Sequence, residues 1–250
     1  MYLRARRTCI CSVMTLTVLS AASNVCAQAQ GNSPGALCSD KEKLAPLSQE
    51  LASPAKDNSF VAVSSLVETI SDTAYPELAG KEIQLRPFHS ASDYFRTRFS
   101  ISRFLFFRRM HYFVEVNPEL FSRNAPPDGV CAILGHELAH VADLSHGNRI
   151  RLFRLVRLVS RGYTVRLERR ADLEAIRRGF GDGLVSYRNW VYSNVSSAKA
   201  EEKKRNYFTP QEIIKIQELT RTKPELFDYW KRKVPLNESE IEASATANRK

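Results

Sequence analysis

The stretch GHELAH, residues 135–140, places two histidines four residues apart with a glutamate directly after the first. Around it Val130, Ile133, Leu134, Leu138 and Val141 recur at threes and fours, the period of one helical face. The spacing predicts a buried amphipathic helix over 129–144. Asp128 of the loop NAPPDG (124–129) stands as its cap, and Ser145-His146-Gly147-Asn148 ends it. On such a helix positions 136 and 140 lie one turn apart on the same side.

Working outward, Ile83 to Val116 is rich in Phe, Tyr, Ile and Val. YFRTRFSIS (94–102) and HYFVEV (111–116) alternate well enough to predict strands, punctuated by Pro87 and ended by Asn117-Pro118. Phe60 to Ile70 reads as a helix followed by turns at Tyr75-Pro76 and Ala79-Gly80. Residues 28–59, rich in Ser, Pro, Ala and Gln, read as a flexible segment with a short helix around Ser39 to Leu51. Downstream, RIRLFRLVRLVSR (149–161) sets Arg151, Arg154, Arg157 and Arg161 on one helical face, with Leu152, Leu155, Val156 and Val159 opposite. A helix from Tyr163 to Arg178 stops at Gly179, and GFGDG (179–183) opens another through Tyr187, Trp190 and Tyr192. TPQE (209–212) is a capping box, with Thr209 as cap, Pro210 at the first helical position and Glu212 reaching back. One or two helices follow before a polar tail over 237–250. No internal repeat is present. The fold class is therefore α+β: a small, mostly antiparallel sheet next to the histidine helix, predominantly helical elsewhere, with one domain over 60–236.

The first residues differ in kind. Arg4, Arg6 and Arg7, an apolar run from Ile10 to Leu19 and a small-residue end at Val25-Cys26-Ala27 make residues 1–27 a secretory signal peptide. The run is too short to span a bilayer permanently, and no later stretch supplies about twenty uninterrupted apolar residues. The expected address is the periplasm or the exterior. Only Cys38 and Cys131 stay in the exported chain, where they either pair or remain a loose and a buried thiol. The net charge is +10, or +7 without the three leader arginines. Such a balance suits an anionic surface, and an exported address favours lipid headgroups over nucleic acid. The favoured reading of 151–161 is a helix that packs its apolar face on the domain and solvates its arginines; the alternative is a peripheral contact with an anionic membrane through Arg151, Arg154, Arg157 and Arg161.

His136 and His140 can direct two imidazole nitrogens at one metal ion, with Glu137 beside the pair. Metal-assisted hydrolysis needs this set: the ion lowers the pKa of a bound water and the carboxylate takes its proton. A catalytic zinc wants a third protein ligand. His146 lies six residues past His140, as in metzincins, but Asp143 stands where their pattern has glycine, and the last methionine, Met110, lies upstream. Glu168 in ERRAD (168–172) is the favoured alternative, with Asp172 one turn on to accept from a ligand histidine. Against it, Arg166, Arg169 and Arg170 offer these acids ordinary ion pairs. His146, Tyr187 and Arg188 are polar candidates for stabilising an oxyanion.

HELAH followed by ERRAD resembles the H-E-x-x-H plus E-x-x-A-D signature of gluzincin metallopeptidases. The likeness is to the HtpX-like and CAAX-prenyl-protease-like family, which includes periplasmic quality-control proteases, and it covers residues 110–180. The resemblance implies a zincin-like fold and one zinc per chain held by His136, His140 and Glu168. It implies Glu137 as general base and acid, and Asp172 as partner of a ligand histidine, His136. It further implies HYFVEV as an edge strand that pairs with an extended protein or peptide substrate. Two other classes stay open: an envelope chaperone or scaffold that keeps the metal with little proteolysis, and a peripheral membrane-binding protein.

Overall fold

The computed structural model describes residues 34–52, 60–106, 108–146 and 161–247. Residues 1–33, with the expected leader, and residues 147–160, which carry most of the basic amphipathic stretch, lie outside them.

Three strands form one mixed sheet in the order β1-β3-β2: β1 Glu82–Pro87, β2 Phe95–Phe99 and β3 His111–Val116. β1 runs parallel to β3 with Glu82 opposite His111, and β2 runs antiparallel to it with Phe95 opposite Val116. The expectation of a mostly antiparallel sheet thus holds for one of the two ladders. HYFVEV is the central strand and not an edge. Tyr112, Val114 and Val116 are buried on one side while Arg86 covers the Phe113 ring on the other, which is why this strand reads as nearly continuous apolar sequence. The strand expected over 94–102 ends at Phe99. Ser100 then caps a short helix, α3 (Ile101–Leu105), by accepting from the Arg103 amide.

The other helices in chain order are α1 Ala45–Ala52, α2 Val61–Ala74, α4 Glu119–Ser122, α5 Pro127–His146, α6 Arg161–Arg177, α7 Gly181–Asn194, α8 Ser197–Asn206, α9 Pro210–Thr222, α10 Leu226–Arg232 and α11 Glu238–Ala247. α5 is the hub and touches α2, α6, α7, β2, β3 and the leading 3-10 helix Pro34–Ser39. It begins earlier than expected, so Asp128 sits in its first turn and not at its cap. Every residue from Gly129 to Ala139 is buried, so the helix is enclosed on all sides and not merely amphipathic. Glycines let α7 cross it closely. A Cβ on Gly183 would lie 2.5 Å from the Asp128 carbonyl oxygen, and one on Gly129 3.1 Å from the Tyr187 Cα.

Both terminal segments correct the sequence reading. Within 28–59, the described part is folded: Leu37, Leu44, Leu47 and Leu51 belong to the core. Cys38 is joined to Cys131 of α5 by a disulfide across a sequence separation of 93. Within 237–250, α11 buries Ile241 and Ala245, and Trp230 Nε1 donates to Ser244 Oγ at 2.7 Å. Each segment has too few apolar residues to advertise a core role, but they recur on one face, and that face is covered. The capping box at Thr209 and Glu212 opens α9 as read, with both reciprocal hydrogen bonds formed.

Candidate metal centre

The site is built from α5 and α6. Two contacts fix α5 at the motif: Tyr75 Oη donates to the Gly135 carbonyl at 2.6 Å, and the Phe180 ring lies 2.9 Å from where a Gly135 Cβ would stand. One turn of α5 separates His136 from His140, and one turn of α6 separates Glu168 from Asp172, so the two pairs face each other. His136 Nε2 and His140 Nε2 lie 3.2 Å apart. Glu168 Oε2 lies 3.3 Å from the first and 3.1 Å from the second. A tetrahedral ion with bonds of about 2.0 Å holds its donors about 3.3 Å apart. The three atoms therefore fit three corners of such a site, and His136, His140 and Glu168 are close enough to hold a metal ion.

Behind the donors stands Asp172, fully buried, with Oδ1 2.8 Å from His136 Nδ1. The contact lacks good hydrogen-bond alignment and acts mainly by charge. It favours the tautomer with the proton on Nδ1, leaving the Nε2 lone pair for a metal. The same carboxylate accepts from Arg188 Nη2 at 2.9 Å and from the Phe208 amide at 3.0 Å. Two of the three arginines that offered Glu168 and Asp172 ordinary ion pairs are engaged elsewhere: Arg169 pairs with buried Glu212 at 2.9 Å, and Arg166 donates to the Gly162 carbonyl. Arg188, one helix away, is the arginine that pairs with Asp172.

Without a metal the cluster is strongly polarised. Burial disfavours charge on His136, but Asp172 and then Glu168 override it and push its pKa up to about 9. Burial likewise opposes charge on Glu168, yet His140 and His136 hold that carboxyl well below its ordinary range. Asp172 is also held low against burial, chiefly by Arg188. Glu137 goes the other way: burial raises it, with His136, His140 and a Thr97 hydrogen bond opposing. A carboxyl raised in this way is better matched to taking and returning a proton near neutrality.

The remaining candidates divide. His146 Nδ1 faces the Ala142 carbonyl oxygen at 2.9 Å, in the last turn of its own helix, and is not part of the donor cluster. Arg188 is committed to Asp172, which removes it as a free oxyanion donor. Tyr187 is buried, its ring edge-on to Phe95, and burial pushes its phenol above the ordinary range. Two residues escaped the sequence reading. Thr97 Oγ1 on β2 reaches Glu137 Oε2 at 2.7 Å and the Glu137 carbonyl oxygen at 3.0 Å. Tyr207, just past α8, lies 6.0 Å from the His136 ring between centroids, under the Arg188 guanidinium at 4.2 Å. Neither carried a signal: Thr97 sits in an alternating strand, and Tyr207 follows a highly charged helix.

No family model, no curated protein and no solved structure matches this chain. Among the described residues, no helix is long and apolar enough to cross a membrane.

Proposed function

We propose that the protein is an exported zinc-dependent metalloendopeptidase of the gluzincin kind. The observation that carries this reading is the triangle of donor atoms from His136, His140 and Glu168, with the buried carboxyl of Glu137 beside it. Two imidazoles and one carboxylate are the donor set of a catalytic zinc with an open position. Zinc, when bound there, supplies a water of lowered pKa and polarises a carbonyl. Glu137, buried beside the donor atoms, would serve as the general base that accepts a proton from water and the acid that returns it to the leaving amine. Thr97 holds its carboxylate in place, Asp172 holds the His136 tautomer, and Arg188 keeps Asp172 ionised. Tyr207 and Tyr187 are the phenols near the site that are left to donate to a developing oxyanion, since His146 and Arg188 are engaged.

β2 takes over the substrate-pairing role expected of HYFVEV. It packs against α5, carries Thr97, and has one side without a strand partner among the described residues. An extended peptide added there runs past the Glu137 end of the cluster. The Cys38–Cys131 disulfide favours an oxidising compartment, in keeping with the leader, and unfolded envelope proteins are the substrate class this supports.

The test is the metal content of the purified protein beside Glu168→Ala and His146→Ala, followed by cleavage of denatured proteins by the parent and Glu137→Gln. One zinc per chain, lost only with Glu168, and cleavage lost in Glu137→Gln with zinc retained, is the expected pattern. A parent that binds no zinc ends the metal reading. Zinc without cleavage turns the assignment to an envelope scaffold.

A further inference from the structure

The connection from β2 to β3 carries two of the most exposed large apolar side chains, Ile101 at 66% and Phe106 at 74%. Ile101 opens α3 and Phe106 directly follows it, and both sit in a segment, Arg96 to Arg109, with five arginines and no acidic residue. Arg103 is half-buried and Arg108 exposed. Arg109 donates to the Gly80 carbonyl oxygen, which fastens the base of the connection to the turn before β1. The sheet face turned away from α5 continues the charge. Strand alternation puts Arg96 and Arg98 opposite to Thr97, and cross-strand pairing sets Arg86 on the same face. Glu115 is the acid between them, paired to both Arg96 and Arg98.

We propose that this tip and the sheet face behind it dock the protein on an anionic lipid bilayer. An aromatic exposed in a strand connection beside an exposed isoleucine suits a fluid interface, which closes around it without a fixed pocket. Arginines of the same connection and of the sheet face behind it supply guanidinium groups for lipid phosphates, and the net positive charge of the whole chain adds in the same direction. The proposal uses other residues than the basic stretch 151–161, which lies almost wholly outside the described residues, and it does not depend on the peptidase reading. Because the tip leaves directly from β2, docking brings that strand close to the headgroups, where the polypeptides within reach are those at the membrane surface.

The experiment is co-sedimentation of the purified protein with phosphatidylglycerol-containing vesicles and with vesicles of phosphatidylcholine alone, at low and high salt. Three variants run beside the parent: Ile101→Ser with Phe106→Ser, Arg103→Glu with Arg108→Glu, and Arg154→Glu with Arg157→Glu. Binding of the parent to the anionic vesicles, weakened by salt, is expected. The apolar pair should lower partitioning about tenfold, and the tip charge reversal at least about fivefold per arginine. Zinc content and melting temperature of the two tip variants should stay those of the parent, since Ile101, Arg103, Phe106 and Arg108 lie outside the core. A Phe106→Trp variant should show a blue shift on anionic vesicles that the parent's own tryptophans do not. Equal binding to both vesicle types, absence of binding by the parent, or loss confined to the 154/157 variant overturns the proposal.

Discussion

Asp172→Asn separates the roles assigned to the site more sharply than removal of a ligand. The substitution keeps volume and hydrogen-bonding capacity but deletes the charge that faces His136 Nδ1 at 2.8 Å and Arg188 Nη2 at 2.9 Å. Two losses follow. Partners behind a ligand histidine are worth about 10–100-fold in metal affinity, or roughly 1.4–2.7 kcal/mol. Leaving the buried Arg188 guanidinium without its carboxylate costs the metal-free fold about 3 kcal/mol, the low end for breaking a buried pair because the amide oxygen still accepts. A third effect has the opposite sign. In the parent, His136 keeps its proton up to about pH 9, so binding must expel it at lower pH. Apparent zinc affinity should climb about tenfold per pH unit between about pH 7 and 9. In the variant the imidazole returns towards its ordinary value of about 6.5, and that climb should flatten. The deficit is therefore full at about pH 9.5 and is cancelled or reversed at pH 7, where expelling the proton weakens the parent about 100-fold. Stability carries the matching sign. A raised histidine contributes most below its unfolded pKa and loses its contribution as pH rises through about 9, so the variant's stability deficit narrows there. Chelator-competition titrations with zinc across this range, with urea unfolding of the metal-free forms, measure all three. An affinity and pH slope both equal to the parent's would mean that Asp172 serves only Arg188 and Phe208, refuting its role towards the histidine.

Reducing the Cys38–Cys131 bond, or replacing both residues with alanine, should lower stability by about 4.7 kcal/mol, since the bond closes a loop of nearly a hundred residues. Urea unfolding with and without reductant checks it, and a change below about 1 kcal/mol contradicts a stabilising tether. Gly135→Ala should cost about 1–3 kcal/mol and disturb zinc binding, because the new methyl meets the Phe180 ring at 2.9 Å; an unaltered melting temperature argues against tight packing behind the motif. Thr97→Val removes a hydrogen bond that holds the Glu137 pKa down against burial. The acid limb of the kcat/KM profile should then move to higher pH, because the base must be ionised to act, whereas an unmoved limb means that Thr97 does not set that pKa.

Residues near one another in the chain determined much of this protein. Apolar spacing around 135–140 announced α5, Thr209 with Glu212 announced the start of α9, and the i, i+4 spacing of His136 with His140 and of Glu168 with Asp172 fixed each pair on one side of its helix. Those are consequences of helical period and local hydrogen bonding, which read directly from order along the chain. What joins distant segments was decided only by tertiary structure. Strand order moved HYFVEV from edge to centre, because alternation is blind to which neighbour arrives on either side. Long-range packing folded the segment containing Cys38 onto α5 and gave Ile241 a core to enter. It also turned Arg188 from a candidate donor into the partner of Asp172, and it brought Thr97 and Tyr207 to a site to which no sequence pattern tied them. Helical period sets the side on which a residue stands, and only the packing of elements far apart in the chain sets what it meets there.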